Sequence, residues 1–173
     1  MEKKTIEKSR KKYKFLKQFL IKTLMIIGSI YAIFTFLIVG MRMEGNTMSP
    51  FLRDGDLCVF YRLEDIYLND VIVYENEKGT LQVGRVVAGS GQKIEFPESG
   101  GYKVDGYDPA EEVMYKTYAG ENSCVTYPLT LGEDEYFILN DFRTLTNDSR
   151  ETGAVKRNQI KGKLLLLVRR RNF

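Results

Sequence analysis

A run of nineteen uncharged residues near the N-terminus, 23–41, constrains this chain more than any other feature. The run is rich in Ile, Leu, Phe and Met, and as a helix rising about 1.5 Å per residue it would span roughly 28 Å, close to the thickness of a bilayer core. Residues 1–22 carry nine Lys or Arg and two acidic residues. Basic residues favour the cytoplasmic side of a span. We therefore expect a cytoplasmic tail at 1–22, a single transmembrane helix at 23–41, and an extracellular domain at 42–173, held at the cell membrane.

A cleavable secretory signal peptide is the competing interpretation of this run. The apolar region of such a signal usually has about 7–15 residues and ends at a cleavage site of small residues. The run is longer than that, and Gly40-Met41-Arg42 offers no such site. The sequence therefore favours an anchor that stays attached.

The charge of the chain is distributed unevenly. The net charge is +3, but the basic excess lies in residues 1–22, and the rest of the chain carries more acidic than basic residues. A nucleic-acid-binding protein needs a basic patch on its folded part. The sequence therefore indicates no nucleic-acid partner.

The region after residue 41 has the pattern of a mainly β domain. Short runs of apolar, β-branched and aromatic residues alternate with turn residues such as Asp54-Gly55 and Gly100-Gly101. Residues 105–128 are the least patterned, and we expect an insertion or extended loop there. Strands are predicted at 57–61, 71–74, 81–87, 93–96, 102–104, 135–139 and 163–168.

The available side chains restrict the possible chemistry. The chain has no histidine, which excludes Ser-His-Asp and Cys-His machinery and argues against zinc, and no metal or cofactor is expected. Cys58 and Cys124 are too few for a disulfide framework, and the sequence leaves open whether they pair. Cys58 lies in a strand-like run and is expected to be a small buried hydrophobe. Hydrolysis would then require a hydroxyl activated by a lysine that burial has deprotonated.

Four motifs in order follow the predicted anchor: residues 45–56 (GNTMSPFLRDGD), 69–73 (NDVIV), 83–88 (VGRVVA) and 140–150 (NDFRTLTNDSR). Together they resemble the motifs of type I signal peptidases, membrane-anchored Ser/Lys proteases that remove signal peptides from exported proteins. The resemblance covers the anchor and nearly the whole outer domain. It implies a fold of coiled antiparallel sheets behind one N-terminal transmembrane helix.

The resemblance places two altered residues at the catalytic positions. The nucleophile position holds Thr47, whose extra methyl restricts χ1, and the general-base position holds Gly84, which has no side chain. A family serine near the lysine corresponds to Thr146. No convincing replacement base is found, because Arg85 stays protonated and Lys78, Lys93 and Lys103 lie in polar, turn-flanked stretches.

The other matched residues are interpreted by their place in the motifs. Ser49 is a second candidate nucleophile, since it lies two residues beyond Thr47 and would share its face on a strand-like segment. Met48, Phe51 and Leu52 are either core residues or contacts to the membrane surface. The resemblance implies cleft residues at Met48, Ser49, Pro50, Arg85 and Thr146. Residues expected to hold the motifs in shape are Asp56, Asp141, Asp148, Ser149 and Arg150, with an ion pair between Asp148 and Arg150.

Two functional hypotheses follow from the resemblance. In the first, the protein has lost proteolysis and kept peptide binding. It then resembles the degenerate signal-peptidase-like accessory proteins of Gram-positive pilus assembly, which implies pilin or sortase partners and a chaperone role. In the second, it is an active signal peptidase that uses Thr47 with an unrecognised base.

Overall fold

The structure, a computed structural model, describes residues 2–109, 115–120 and 125–169. The chain divides into two units, Met1–Ile38 and Val39–Phe173. Cys124 lies outside the described residues, as does part of the loop predicted at 105–128.

The first unit is the helix α1, Glu2–Phe36. Its segment Lys12–Phe36 has 25 residues and contains an 18-residue window with a mean hydropathy of 1.9, so the helix is long and apolar enough to cross a membrane. The predicted span 23–41 does not match the end of this helix, because Ile38–Arg42 form the strand β1. Hydropathy reports side-chain polarity and not backbone conformation. The apolar run therefore contains both the end of the helix and the beginning of the sheet.

The second unit is mainly antiparallel β-sheet, which confirms the predicted fold class. A seven-stranded sheet has the order β1-β2-β10-β3-β4-β8-β9, and a three-stranded sheet has the order β6-β5-β7. A short helix α2, Ser149–Thr152, follows β8. After β1, the strands are β2 (Leu57–Tyr61), β3 (Val71–Glu75), β4 (Leu81–Ala88), β5 (Lys93–Glu95), β6 (Lys103–Val104), β7 (Leu129–Thr130), β8 (Glu135–Leu139), β9 (Val155–Lys156) and β10 (Ile160–Val168).

Five neighbouring strands of the larger sheet, in the order β10-β3-β4-β8-β9, carry an apolar cluster. The chain passes from β9 through one 3-10 turn, Arg157–Gln159, into β10, and β10 pairs with β3. The strand β9 pairs with β8 and ends the sheet order. The cluster consists of Ile72, Tyr74, Val86, Ile138, Val155 and Ile160.

The β domain contains two further apolar clusters. One joins β2 to the segment before it and contains Met48, Leu52, Cys58 and Phe60. The other lies between the two sheets and contains Val87, Ile94, Tyr102, Leu131 and Phe137. Cys58 is fully buried, as expected of a small hydrophobe in a strand.

Candidate functional site

Thr47, at the nucleophile position, lies in the loop between β1 and β2. This loop is held to the loop after β8, because the backbone N–H of Phe142 donates to the carbonyl oxygen of Thr47 at 2.9 Å. The Thr47 side chain is half-buried. Within the described part of the chain, its hydroxyl forms no hydrogen bond. The position has a hydroxyl, but none of the described residues provides a hydrogen-bonded group to activate it.

The residues after Thr47 divide between core and surface. Met48 and Leu52 are fully buried in the cluster beside β2, so Met48 is a core residue and does not line a cleft, contrary to the expectation. Its apolar side chain fills the space beneath the loop. Ser49 is half-buried, and Pro50 and Phe51 are exposed.

Gly84, at the base position, is buried in the middle of β4. A Cβ atom built on this glycine would lie 2.4 Å from the Cγ2 methyl of Ile138 and 3.6 Å from Cε1 of Tyr74. Carbon atoms do not approach each other to 2.4 Å without displacement of one of them. The Ile138 side chain therefore occupies the space that the first atoms of a lysine side chain would need at this position.

Lys93, Lys103 and Lys163, which could be considered as substitute bases, each lie beside a carboxylate. Lys93 pairs with Glu95 at 3.6 Å, and Lys103 lies 4.0 Å from Asp108. Lys163 is desolvated, but its hydrogen bond and attraction to Asp70, and its attraction to Glu64, outweigh that effect and raise its pKa. A general base needs a lowered lysine pKa, so this environment favours the wrong protonation state.

Arg85, beside Gly84, ties several segments together. Its Nε and Nη2 donate to the two carboxylate oxygens of Asp141 at 2.7 and 2.6 Å. Its Nη1 donates to the carbonyl oxygen of Asn69 at 2.9 Å, and its guanidinium lies 5.0 Å from the centre of the Phe51 ring. Such bidentate pairs fix geometry as well as charge. Arg85 therefore links β4 to the loops that carry Thr47 and Asp141.

The loop from β8 to α2 is organised by a buried ion pair. Arg150 and Asp148 are each about 1% exposed, and Arg150 Nε and Nη2 donate to the Asp148 carboxylate at 2.9 and 2.7 Å. Asp148 also accepts from the backbone N–H of Asn140 at 3.0 Å. The remaining Arg150 donors reach the carbonyl oxygens of Arg143 and Leu145. The guanidinium thus replaces the water that these carbonyls would otherwise bind.

Two other residues of the motifs have side chains that accept hydrogen bonds from backbone N–H groups. The Ser149 hydroxyl accepts a hydrogen bond from the backbone N–H of Ile138 at 3.0 Å. Asp56 accepts from the backbone N–H of Arg53 at 3.0 Å and so closes the turn that precedes β2. Both are buried, and both stabilise the loops rather than expose reactive groups.

Two clefts lie near the last motif. The first, the Thr146 cleft, has a volume of about 590 Å³ and is lined by Thr146, Glu151, Arg143, Lys116 and Tyr118 among others. The Thr146 hydroxyl donates to the Glu151 carboxylate there. The second, the Tyr74 cleft, has a volume of about 560 Å³ and is lined by Tyr74, Gln82, Asn147, Glu151 and Lys156 among others. Thr47 lines neither cleft.

The sequence interpretation missed three residues of this region. Ile138 fills the base position, Tyr74 borders that position and a cleft, and Glu151 lines both clefts. Each acts through a contact across the sheet or across a loop, which a linear motif does not report. The β-strand alternation of β4 does place Gln82, Gly84 and Val86 on one face, and this pattern was the available signal.

Comparison of this chain with known proteins identifies one family. The family model described as signal peptidase, peptidase S26, matches residues 16–168. Signal peptidase IB of Staphylococcus aureus (strain COL) is 25% identical over 148 residues, covering 75% of this chain and 76% of that protein. A protein named inactive signal peptidase IA, from S. aureus (strain Mu50 / ATCC 700699), is 26% identical over 156 residues, covering 86% of this chain and 89% of that protein. The crystal structure of a signal peptidase I from Enterococcus faecalis V583 matches with a TM-score of 0.49 at 22% identity, covering 59% of this chain and 98% of that chain.

Proposed function

This chain belongs to the signal peptidase family, peptidase S26, and from that premise we propose that it is a membrane-anchored member that binds peptides without hydrolysing them. The observation that carries the proposal is the contact between Gly84 and Ile138. A missing lysine alone would leave empty space beside position 84. Here a Cβ atom at position 84 would already lie 2.4 Å from the Ile138 methyl, so the interior has closed over the base position.

The state of Thr47 supports the same conclusion. Its hydroxyl forms no hydrogen bond with any described residue, and an alcohol without a base is a poor nucleophile at neutral pH. General-base assistance contributes about 10²–10⁴-fold to a rate. The relative named inactive signal peptidase IA shows that the family includes a member so described.

We propose further that α1 anchors the protein in the cell membrane with its N-terminus in the cytoplasm. The apolar segment Lys12–Phe36 is long enough to span, and the basic residues that precede residue 23 are the type that remains on the cytoplasmic side. The β domain then faces the outside, where exported and surface proteins emerge.

The proposed ligand is an extended segment of a surface protein, with a pilin subunit or its sortase as partner in pilus assembly. The strand β1 is at one edge of the seven-stranded sheet, and β9 is at the other. An edge strand offers N–H and C=O groups with which an extended peptide can pair. Binding of this kind needs no catalytic group, so it survives the loss of the base.

A cleavage assay tests the loss of proteolysis. The full-length chain in detergent is incubated with an exported preprotein, alongside Thr47→Ala. We expect both to produce no cleaved product above the background without protein. Cleavage by the unmodified chain that Thr47→Ala abolishes would establish the alternative, an active signal peptidase, and overturn the proposal.

A set of restored variants tests the reason for that loss. Thr47→Ser with Gly84→Lys keeps Ile138 and therefore keeps the obstruction. Adding Ile138→Ala removes the obstructing methyl. We expect cleavage only from the triple variant. Equal cleavage by the double variant would show that Ile138 does not close the site.

Partner binding requires its own measurement. The full-length chain in detergent captures proteins from membranes that contain pilin and sortase, with a variant lacking residues 39–173 as the control. Capture of pilin or sortase by the full chain alone supports the partner assignment. Capture of neither under conditions where both are present contradicts it.

A further inference from the structure

The Tyr74 cleft is located beside the closed base position. Tyr74 and Gln82 are directly opposite each other on β3 and β4, and both line the cleft. The Tyr74 ring lies 3.6 Å from the place of a Cβ atom at Gly84. The cleft therefore adjoins the place where the family carries its lysine, and its wall includes two polar side chains.

The Tyr74 side chain is only 3% exposed, yet its hydroxyl has no hydrogen-bond partner among the residues that the structure describes. Among the described residues, that hydroxyl oxygen is not fully enclosed by protein atoms. Burial, together with the negative charge of Asp148, raises the Tyr74 pKa. The hydroxyl stays protonated and remains available as a donor toward the cleft.

The side-chain carboxamide of Gln82 is also available for hydrogen bonding. Its side chain is half-buried, and within the described part of the chain its carboxamide forms no hydrogen bond. Directly opposite side chains on neighbouring antiparallel strands have Cβ atoms about 4.5–5.5 Å apart. Tyr74 and Gln82 thus place one hydroxyl donor next to one carboxamide, which offers both a donor and an acceptor.

The charges around the cleft balance. Glu77 and Glu151 line it together with Lys78 and Lys156, so the lining carries two formal charges of each sign. A charged ligand group placed against the buried Tyr74 ring would lose hydration without a net opposite charge to compensate. The cleft therefore favours an uncharged group that both donates and accepts hydrogen bonds.

We propose that the Tyr74 cleft is a specificity pocket for the carboxamide side chain of Asn or Gln in a bound peptide. The assignment rests on the peptide binding proposed above. The Tyr74 hydroxyl donates to the carbonyl oxygen of the ligand carboxamide. The Gln82 carboxamide exchanges two hydrogen bonds with the same group, and the aliphatic part of the ligand side chain lies against the apolar rim near Ala154 and Val155.

A peptide library tests the assignment on the full-length chain in detergent. Extended peptides that differ at one position (Asn, Gln, Asp, Glu, Leu or Ala) are compared by their dissociation constants. At one register position we expect Asn or Gln to bind tighter than Asp, Glu, Leu and Ala. Tyr74→Phe and Gln82→Leu are each expected to weaken the Asn and Gln peptides by about 3- to 10-fold, the effect of one or two hydrogen bonds, and to leave the Ala peptide unchanged.

Tyr136→Phe is the matched control, because it removes a hydroxyl from a half-buried tyrosine that lines a different cleft. It should leave every dissociation constant unchanged, and thermal unfolding should confirm that all variants fold. Peptide binding without an Asn or Gln preference, or a preference that Tyr74→Phe leaves intact, overturns this assignment alone. Failure of every peptide to bind overturns both the assignment and the proposed peptide binding.

Discussion

Two neighbouring regions of the β domain differ in what fills their interior. In the loop from β8 to α2, a buried guanidinium and a buried carboxylate hold the backbone, with several carbonyl oxygens as partners. In the middle of β4, one strand away, a methyl group of Ile138 fills the space in front of Gly84. The loop contains the polar residues of its motif, whereas β4 has a glycine at the position where the resemblance to the family motif places a lysine.

The difference separates residues on which the fold depends from a position at which the fold requires no polar side chain. Removing Arg150 would leave a buried charge without a partner, so the fold itself depends on it. The base position imposes no such requirement, because a glycine with a packed neighbour leaves no unsatisfied polar group. A motif can therefore persist for its structural part after its chemical part has gone.

The largest expected effect comes from the loop. Arg150→Ala leaves the Asp148 side chain, about 1% exposed, without its ion-pair partner. We expect the free energy of unfolding to fall by about 3–5 kcal/mol, the cost of breaking a buried pair. Thermal unfolding of the full chain in detergent measures it.

Arg157→Ala is the control for that change, because Arg157 donates a weak hydrogen bond of 3.4 Å to the carbonyl oxygen of Glu64. It should alter the unfolding temperature little. Equal losses for the two arginines would mean that the buried pair contributes no more than a surface contact.

The next effect comes from the closed position on β4. Gly84→Ala adds the Cβ atom that would lie 2.4 Å from Ile138 Cγ2. We expect a loss of about 1–3 kcal/mol from overpacking, measured by thermal unfolding. Gly89→Ala is the control, since its added atom would have no neighbour nearer than 3.9 Å.

A second substitution checks the cause of that loss. Ile138→Leu keeps the side-chain volume but removes the methyl from Cβ, so the loss from Gly84→Ala should shrink in its presence. The coupling between the two changes should be favourable by about 0.5–3 kcal/mol, as in contacting pairs. If the two losses of stability simply add, the loss from Gly84→Ala does not come from contact with Ile138.

Arg85→Lys tests the connection between the two regions. Arg85 lies beside Gly84 on β4 and binds Asp141 in the loop through two parallel hydrogen bonds. A lysine retains the charge but cannot make the bidentate contact. We expect a loss of about 1–2 kcal/mol in thermal unfolding. Lys161→Arg, at an exposed ion pair with Glu75, should change little, and a similar loss there would remove the distinction.

The smallest effect is a pH dependence in the apolar cluster beside β2, to which Cys58 belongs. Burial, with a smaller contribution from Asp56, raises the Cys58 pKa from 9.0 to about 11. The unfolded thiol ionises first, so this contribution to stability is complete below pH 9 and is lost between pH 9 and 11. At pH 10 the expected loss is about 1 kcal/mol.

Unfolding temperatures at pH 8 and pH 10 for the unmodified chain and for Cys58→Ala measure that contribution. The difference between the two proteins isolates the thiol from other groups that titrate in this range. The unmodified chain should lose more stability than Cys58→Ala over this interval. Equal losses would show that Cys58 does not titrate differently in the folded state.

The sequence predicts much of the fold because the strands carry local signals. The strands at 57–61 and 135–139 have the predicted bounds, since each follows an acidic turn and contains consecutive apolar residues. The strands β7 and β9 have two residues each, which is too short for a pattern to show. The strand β1 was hidden in the apolar run, because membrane and sheet favour the same Ile and Val residues.

The sequence predicts the candidate site less completely than it predicts the fold. The altered residues Thr47 and Gly84 are visible in the linear motifs, and so is the pairing of Asp148 with Arg150. The closure by Ile138 is not visible, because it joins strands that are more than fifty residues apart in the chain. The burial of Met48 depends likewise on how its loop packs against β2.

The contact at Gly84 also sets the order in which mutations can accumulate. A lysine at position 84 that arises before Ile138 changes is overpacked, and a smaller residue at position 138 that arises first leaves a cavity in the apolar cluster. Either first step lowers stability on its own. Exchange of this glycine for a lysine therefore has to pass through a less stable intermediate.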